Sequence, residues 1–311
     1  MAKQVVEEAW EILTNEPNMK RFNFFPSILS TIAIGEILLY QIAFIYVQIF
    51  GLSHDFFDRV LGVVEDVHGK TIWGYVAAFV LVYALIAVAV PIFQGGLLAL
   101  IDKNIRIARG ELPTSTERRE HFYSYALSRG FIKFFPVFEL NNIMIPFSLV
   151  SILIMYSWGL RIFGMESIWI ISVVMGIYLL VSITANILFS YSRFFIIFED
   201  KSPFEAIGAS IEMALDNLSE TFELYFTVFL LYLRTFFTAL IFLVFPFLIF
   251  AALSYLSIGL VRTVGIGLLI LVFLFFIGLI AHLNSVVEIF TQTVWYNTYR
   301  QNKREKALKG E

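Results

Sequence analysis

The chain contains no cysteine, so disulfides, thiolate metal sites and a thiol nucleophile are all excluded. Histidine is nearly as scarce. His54, His68, His121 and His282 are scattered, leaving no cluster for catalytic zinc and no base beside a serine or threonine nucleophile. Charge is thin as well, at 15% of residues with a net charge of −3, and it forms no basic face of the kind nucleic acid requires. These shortages point away from an enzyme, a bound cofactor or a nucleic-acid partner. The opening residues, MAKQVVEEAWEILTNEP, lack a basic region followed by a short apolar core. The first membrane helix is therefore expected to act as its own targeting signal.

What the chain has in abundance is hydrocarbon. Hydrophobic side chains make up 59% of its 311 residues, well above the share in soluble domains. This predicts an all-α polytopic membrane protein forming a single membrane domain over residues 1–311. About 20 apolar residues cross a bilayer as a helix. Six stretches qualify: Phe25 to Phe50, Trp73 to Ile101, Phe135 to Phe163, Ile168 to Phe198, Phe222 to Leu256 and Val264 to Trp295. Lysine and arginine fall seventeen to four in favour of the segments that would share a side with both ends of the chain. The expectation is a multi-pass protein of the cell (cytoplasmic) membrane with N- and C-termini in the cytoplasm. Pro91, Pro146 and Pro246 interrupt three of the stretches and predict kinks.

A pattern recurs along the chain. Ser202-Pro203-Phe204-Glu205 reads as a capping box with proline at the first helical position. Phe204, Ile207, Ile211, Leu215 and Leu218 then form an apolar stripe that leads into a membrane stretch. Thr114 and Glu117 offer a similar start to a helix through Phe122, Tyr125 and Ala126 that is expected to end near Gly130. Val6, Ala9, Trp10 and Leu13 form a stripe near the start of the chain. Phe24-Phe25-Pro26 and Phe134-Phe135-Pro136 precede two membrane stretches in the same way. The reading is six transmembrane helices arranged as three hairpin repeats, over residues 1–110, 111–201 and 202–311. Each hairpin is preceded by a cytoplasmic amphipathic helix.

Gly95-Gly96, Arg109-Gly110-Glu111, Phe122, the run from Arg193 to Lys201, Ala206-Ile207, Ser210 and Asn217 carry a resemblance. The chain resembles a broad group of uncharacterised bacterial and archaeal integral membrane proteins. That group includes the membrane domain fused to some glycerophosphodiester phosphodiesterases, whose catalytic domain is absent here. The resemblance implies a lipid-adjacent membrane module and transfers no catalytic residue.

Ionisable groups in a membrane helix are costly, so they mark candidate sites. Glu36 and Arg234 fall at similar depth in the first and fifth stretches and are expected to pair. Three polar stripes are candidates for lining a common cavity: Glu139, Asn141 and Asn142; Asn186, Ser190 and Arg193; and Asn284, Glu288 and Gln292 together with Thr291. Arg118, Arg119 and Arg129 suit anionic lipid headgroups. Glu205, Glu212 and Asp216 suit docking of a partner protein. Gly95, Gly96, Gly176, Gly265 and Gly267 are expected to allow close helix packing. His54, Asp55, Asp58, Glu65, Asp66 and His68 read as the wet face of an amphipathic outer segment and not as metal ligands. The expected function is a non-catalytic membrane module, a scaffold or lipid-associated assembly factor whose partners are membrane lipids and another membrane or cytoplasmic protein. The alternative is a transporter or permease subunit for a small solute or lipid.

Overall fold

The computed structural model describes residues 2–50, 69–111, 122–254 and 259–309, among which there is no strand. Among these described residues eleven α-helices follow one another: α1 (Ala2–Asn15), α2 (Pro17–Phe50), α3 (Gly69–Ala108), α4 (Phe122–Ile132), α5 (Phe134–Met144), α6 (Leu149–Phe163), α7 (Ile168–Leu188), α8 (Ser192–Glu199), α9 (Pro203–Asp216), α10 (Leu218–Ser254) and α11 (Gly259–Lys309). Four segments are long and apolar enough to cross a membrane: Val80–Ala108, Met165–Glu199, Leu218–Phe242 and Leu271–Leu308. The pair Phe134–Phe147 and Leu149–Phe163, bent by 46°, makes a fifth if it counts as one span. The stretch from Phe25 to Phe50 lies in α2, many of whose side chains are outside the description. Such a set of helices is compatible with a multi-pass membrane protein.

Among the described residues, packing is concentrated at one end of the bundle. The buried cluster takes Val5, Ala9 and Leu13 from α1, Leu97 to Ile105 from α3, Phe194 to Ile196 from α8, and Val294 to Tyr299 from α11. Away from this end the long helices expose large apolar side chains such as Leu81, Trp169, Val173, Phe237 and Leu274. Helix α11 is the axis, packing against α1, α2, α3 and α10. Short helices α1, α4 and α9 precede long apolar helices and cap this end.

The caps differ from the sequence expectations in three ways. First, α1 buries Val5, Ala9 and Leu13, while Trp10 is exposed and meets Phe290 edge-on at 6.4 Å. Second, α2 begins at Pro17, so Pro26 sits inside the helix and does not mark its start. Third, the capping box of α9 forms, with the Ser202 N–H donating to Glu205 Oε2 at 3.0 Å, yet the stripe it introduces is not the buried face. Ala206, Ser210, Met213 and Ala214 face inward, whereas Phe204 is 71% exposed and Leu215 56%. Small residues let α9 lie close to the helices beneath it, while Phe204 and Leu215 are left on the outside.

Glycine sets one crossing directly. A Cβ at Gly130 would stand 2.0 Å from the Ile92 carbonyl oxygen, and one at Gly96 would stand 2.6 Å from that of Ala126. Helix α4 ends two residues past Gly130, at Ile132, and Gly130 itself lets the backbones of α3 and α4 touch. Gly176 and Gly267 have nothing within 4 Å of an added Cβ, so the packing role expected of them is absent. The segment containing His54 to His68, together with Arg118 and Arg119, lies outside the described residues. We expect Gly130→Val to destabilise the purified protein by about 1–3 kcal/mol, whereas Gly176→Ala stays within about 1 kcal/mol of the parent. Thermal unfolding in detergent checks both.

Candidate polar node

The node begins with an interruption in a span. Helix α7 ends at Leu188 and α8 begins at Ser192, which leaves backbone groups without helical partners. Ser210 of α9 fills this break: its hydroxyl donates to the Leu188 carbonyl at 2.7 Å and accepts from the Tyr191 N–H at 3.0 Å. The Tyr191 hydroxyl lies 3.1 Å from that of Thr221, and its ring meets Trp295 edge-on at 5.4 Å. Two residues further on, Arg193 is held at the start of α8, facing the bundle.

Arg193 makes one hydrogen bond among the described residues, from Nη2 to Asn141 Oδ1 at 3.3 Å. Asn141 Nδ2 donates in turn to Gln94 Oε1 at 2.9 Å. On α11, Glu288 Oε2 accepts from Asn23 Nδ2 at 3.0 Å. Arg193 and Glu288 are each half-buried and lie within each other's electrostatic reach, yet no ion pair of 4.0 Å or less joins them. Tyr232 of α10 lies within electrostatic reach of both charges, and the residue as a whole is 45% exposed. Helices α7 and α10, on either side, touch only sparsely. The node thus combines a guanidinium, a carboxylate, a phenol and amides drawn from six different helices.

Three of the predicted stripe residues meet here: Asn141, Arg193 and Glu288. The others do not join them. Glu139 is exposed, Asn142 bonds the Phe138 carbonyl of its own helix, and Ser190 bonds Ile187. Asn284 donates to Thr31 at 2.9 Å, and Gln292 is half-buried with no bond at the node. Asn186 has a structural task. Together with Tyr178 it satisfies the carbonyls of Phe147 and Pro146, which the bend between α5 and α6 releases. Asn23, Gln94 and Tyr232 are the members that stripe counting missed: Gln94 and Tyr232 are flanked by apolar residues, and Asn23 shares its face with Ser27 and Thr31 near the start of α2. For the expected pair of Glu36 and Arg234, the structure places Arg234 on the exposed face of α10, and the Glu36 side chain is outside those described.

The acids expected to dock a partner are engaged within the chain. Glu205 is consumed by its capping box, while Glu212 and Asp216 both reach Lys306. Glu199 holds Tyr299 and Lys303, and Arg300 Nη2 stands 2.9 Å from both oxygens of Glu111, where Arg304 also arrives. Together these contacts clamp the last turns of α11. A cleft of about 410 Å³ beside the clamp is floored by Phe195, Ala209 and Met213. Arg129 is exposed on α4, 5.8 Å from the Tyr125 ring. His282 is exposed near Phe24, and the other three histidines lie outside the described residues. Comparison with protein-family models, curated proteins and solved structures returned no match.

Two outcomes follow from this geometry. Ser210→Ala strands a buried N–H and a buried carbonyl, so we expect a loss of about 1–3 kcal/mol in thermal unfolding. The second concerns pH. The hydrogen bond from Arg300, with the charges of Arg304 and Arg106, holds the Glu111 carboxyl below its ordinary 4.5; the hydrogen bond from Lys306 does the same for Glu212. Carboxyls lowered on folding add stability in full above their unfolded value, and that stability is lost as pH falls through the folded values. Backbone amides at residues 300–309, corrected for intrinsic rate, should therefore exchange hydrogen faster relative to the rest of α11 once pH drops below 4.5.

Proposed function

We propose that the protein is a non-catalytic, lipid-associated integral membrane module of the cytoplasmic membrane that works as a scaffold holding a lipid headgroup at its polar node. The observation that carries this reading is the separation of Arg193 from Glu288. Two complementary charges, each supported by an amide, stand apart in a half-buried site beside a sparsely packed pair of helices. Leaving them apart in a low-dielectric setting is costly unless something polar lies between them. A lipid headgroup reaches such a site sideways from the bilayer and needs no path across it.

Depth favours the same occupant. Arg193 lies six residues before Glu199, about 9 Å along the helix. That is just inside the headgroup layer if the clamp marks the water surface. In this reading the chain has six spans in three hairpins, each introduced by an interfacial helix, with both termini cytoplasmic. The resemblance to lipid-adjacent membrane modules belongs to the same proposal. The transporter alternative draws on the polar residues that several helices contribute to one place, but the amides there are tied to one another by hydrogen bonds.

Native mass spectrometry of protein extracted gently from its own membranes tests the reading. We expect a stoichiometric phospholipid that survives extraction and is depleted by Arg193→Gln. A chain free of lipid, retaining instead a water-soluble solute that the same variant releases, would favour the transporter.

A further inference from the structure

Resting on that reading, we infer that the node selects a zwitterionic glycerophospholipid whose headgroup carries a primary ammonium. The charges of the node itself lead to this choice. Arg193 and Glu288 together sum to zero, so a headgroup that is itself neutral but dipolar leaves nothing uncompensated. Its phosphate meets the guanidinium, whose other N–H groups make no bond among the described residues, and its ammonium meets the Glu288 carboxylate.

The two obvious competitors each fail at one end. An anionic headgroup satisfies Arg193 but places its charge near a carboxylate that has only Asn23 as donor. A trimethylammonium headgroup has no N–H to give Glu288 and binds best inside an aromatic cage. Here Tyr232 supplies the one aromatic ring that senses both charges. Tyr232 is 45% exposed, and its hydroxyl is assigned to the phosphate as a second donor.

The experiment uses the full chain, purified and delipidated in detergent. It is offered equal amounts of phosphatidylethanolamine, phosphatidylcholine and phosphatidylglycerol with identical acyl chains, and the retained lipid is quantified by mass spectrometry. We expect phosphatidylethanolamine to be enriched about tenfold over each of the others, the ratio one charged hydrogen bond can supply. Glu288→Gln should move the preference to phosphatidylglycerol, because Arg193 is then left without its counter-charge. Tyr232→Phe keeps the exposed ring and the fold, and should lower phosphatidylethanolamine retention several-fold. Equal retention of the three lipids by the parent protein, or an unchanged preference in Glu288→Gln protein that elutes as the parent does, overturns the headgroup inference and leaves the lipid-module reading standing. Retention of no lipid by the parent overturns both.

Discussion

In hydrocarbon, apolar side chains gain nothing by leaving lipid for one another, and the rest of this structure depends on that constraint. The long helices carry ample leucine, isoleucine and phenylalanine, yet away from the capped end they leave much of it facing outward. Where the chain meets water the ordinary hydrophobic effect returns, and the buried cluster assembles from the ends of nearly every helix. Backbone contact at Gly96 and Gly130 and polar links through Asn23, Asn141 and Asn186 hold what burial cannot.

The polar node is a product of this arrangement. A span that ran unbroken from Ile168 to Glu199 would place Arg193 wherever helical phase dictated. The interruption at Leu188 resets that phase, and Ser210 makes the interruption affordable by taking both loose backbone groups. Ser210 can reach them because α9 buries alanines beside it. The sequence of one helix thereby fixes the position of a charge on another inside the helix bundle, which is a link between capping and packing that no single helix contains.

Local chemistry was the most legible part of the sequence. Ser202, Pro203 and Glu205 specify a helix start through contacts within four residues, and α9 begins where they require. The face of that helix was less legible, because Phe204 and Leu215 carry the strongest apolar signal and yet point outward. In a membrane protein an apolar residue has two acceptable surroundings, lipid and core, so periodicity identifies a stripe without saying which of the two it meets. Gly130 was ambiguous for a related reason, since a glycine that ends a helix and one that admits a neighbouring backbone look alike. Asn141, Arg193 and Glu288 were visible as polar residues at helical spacing. Asn23 and Gln94 were not, because a lone amide near a membrane boundary is indistinguishable from an ordinary polar end until its partner helix is known.

Helix α11 runs 51 residues without interruption, a rod of roughly 77 Å at 1.5 Å per residue. A continuous helix carries rotation and tilt along its length, and the near end of this one is fastened to Glu111, Glu199 and Glu212. Tilt of its apolar half therefore moves Arg300, Lys303 and Lys306 against their carboxylates, and these ion pairs resist reorientation of the whole helix.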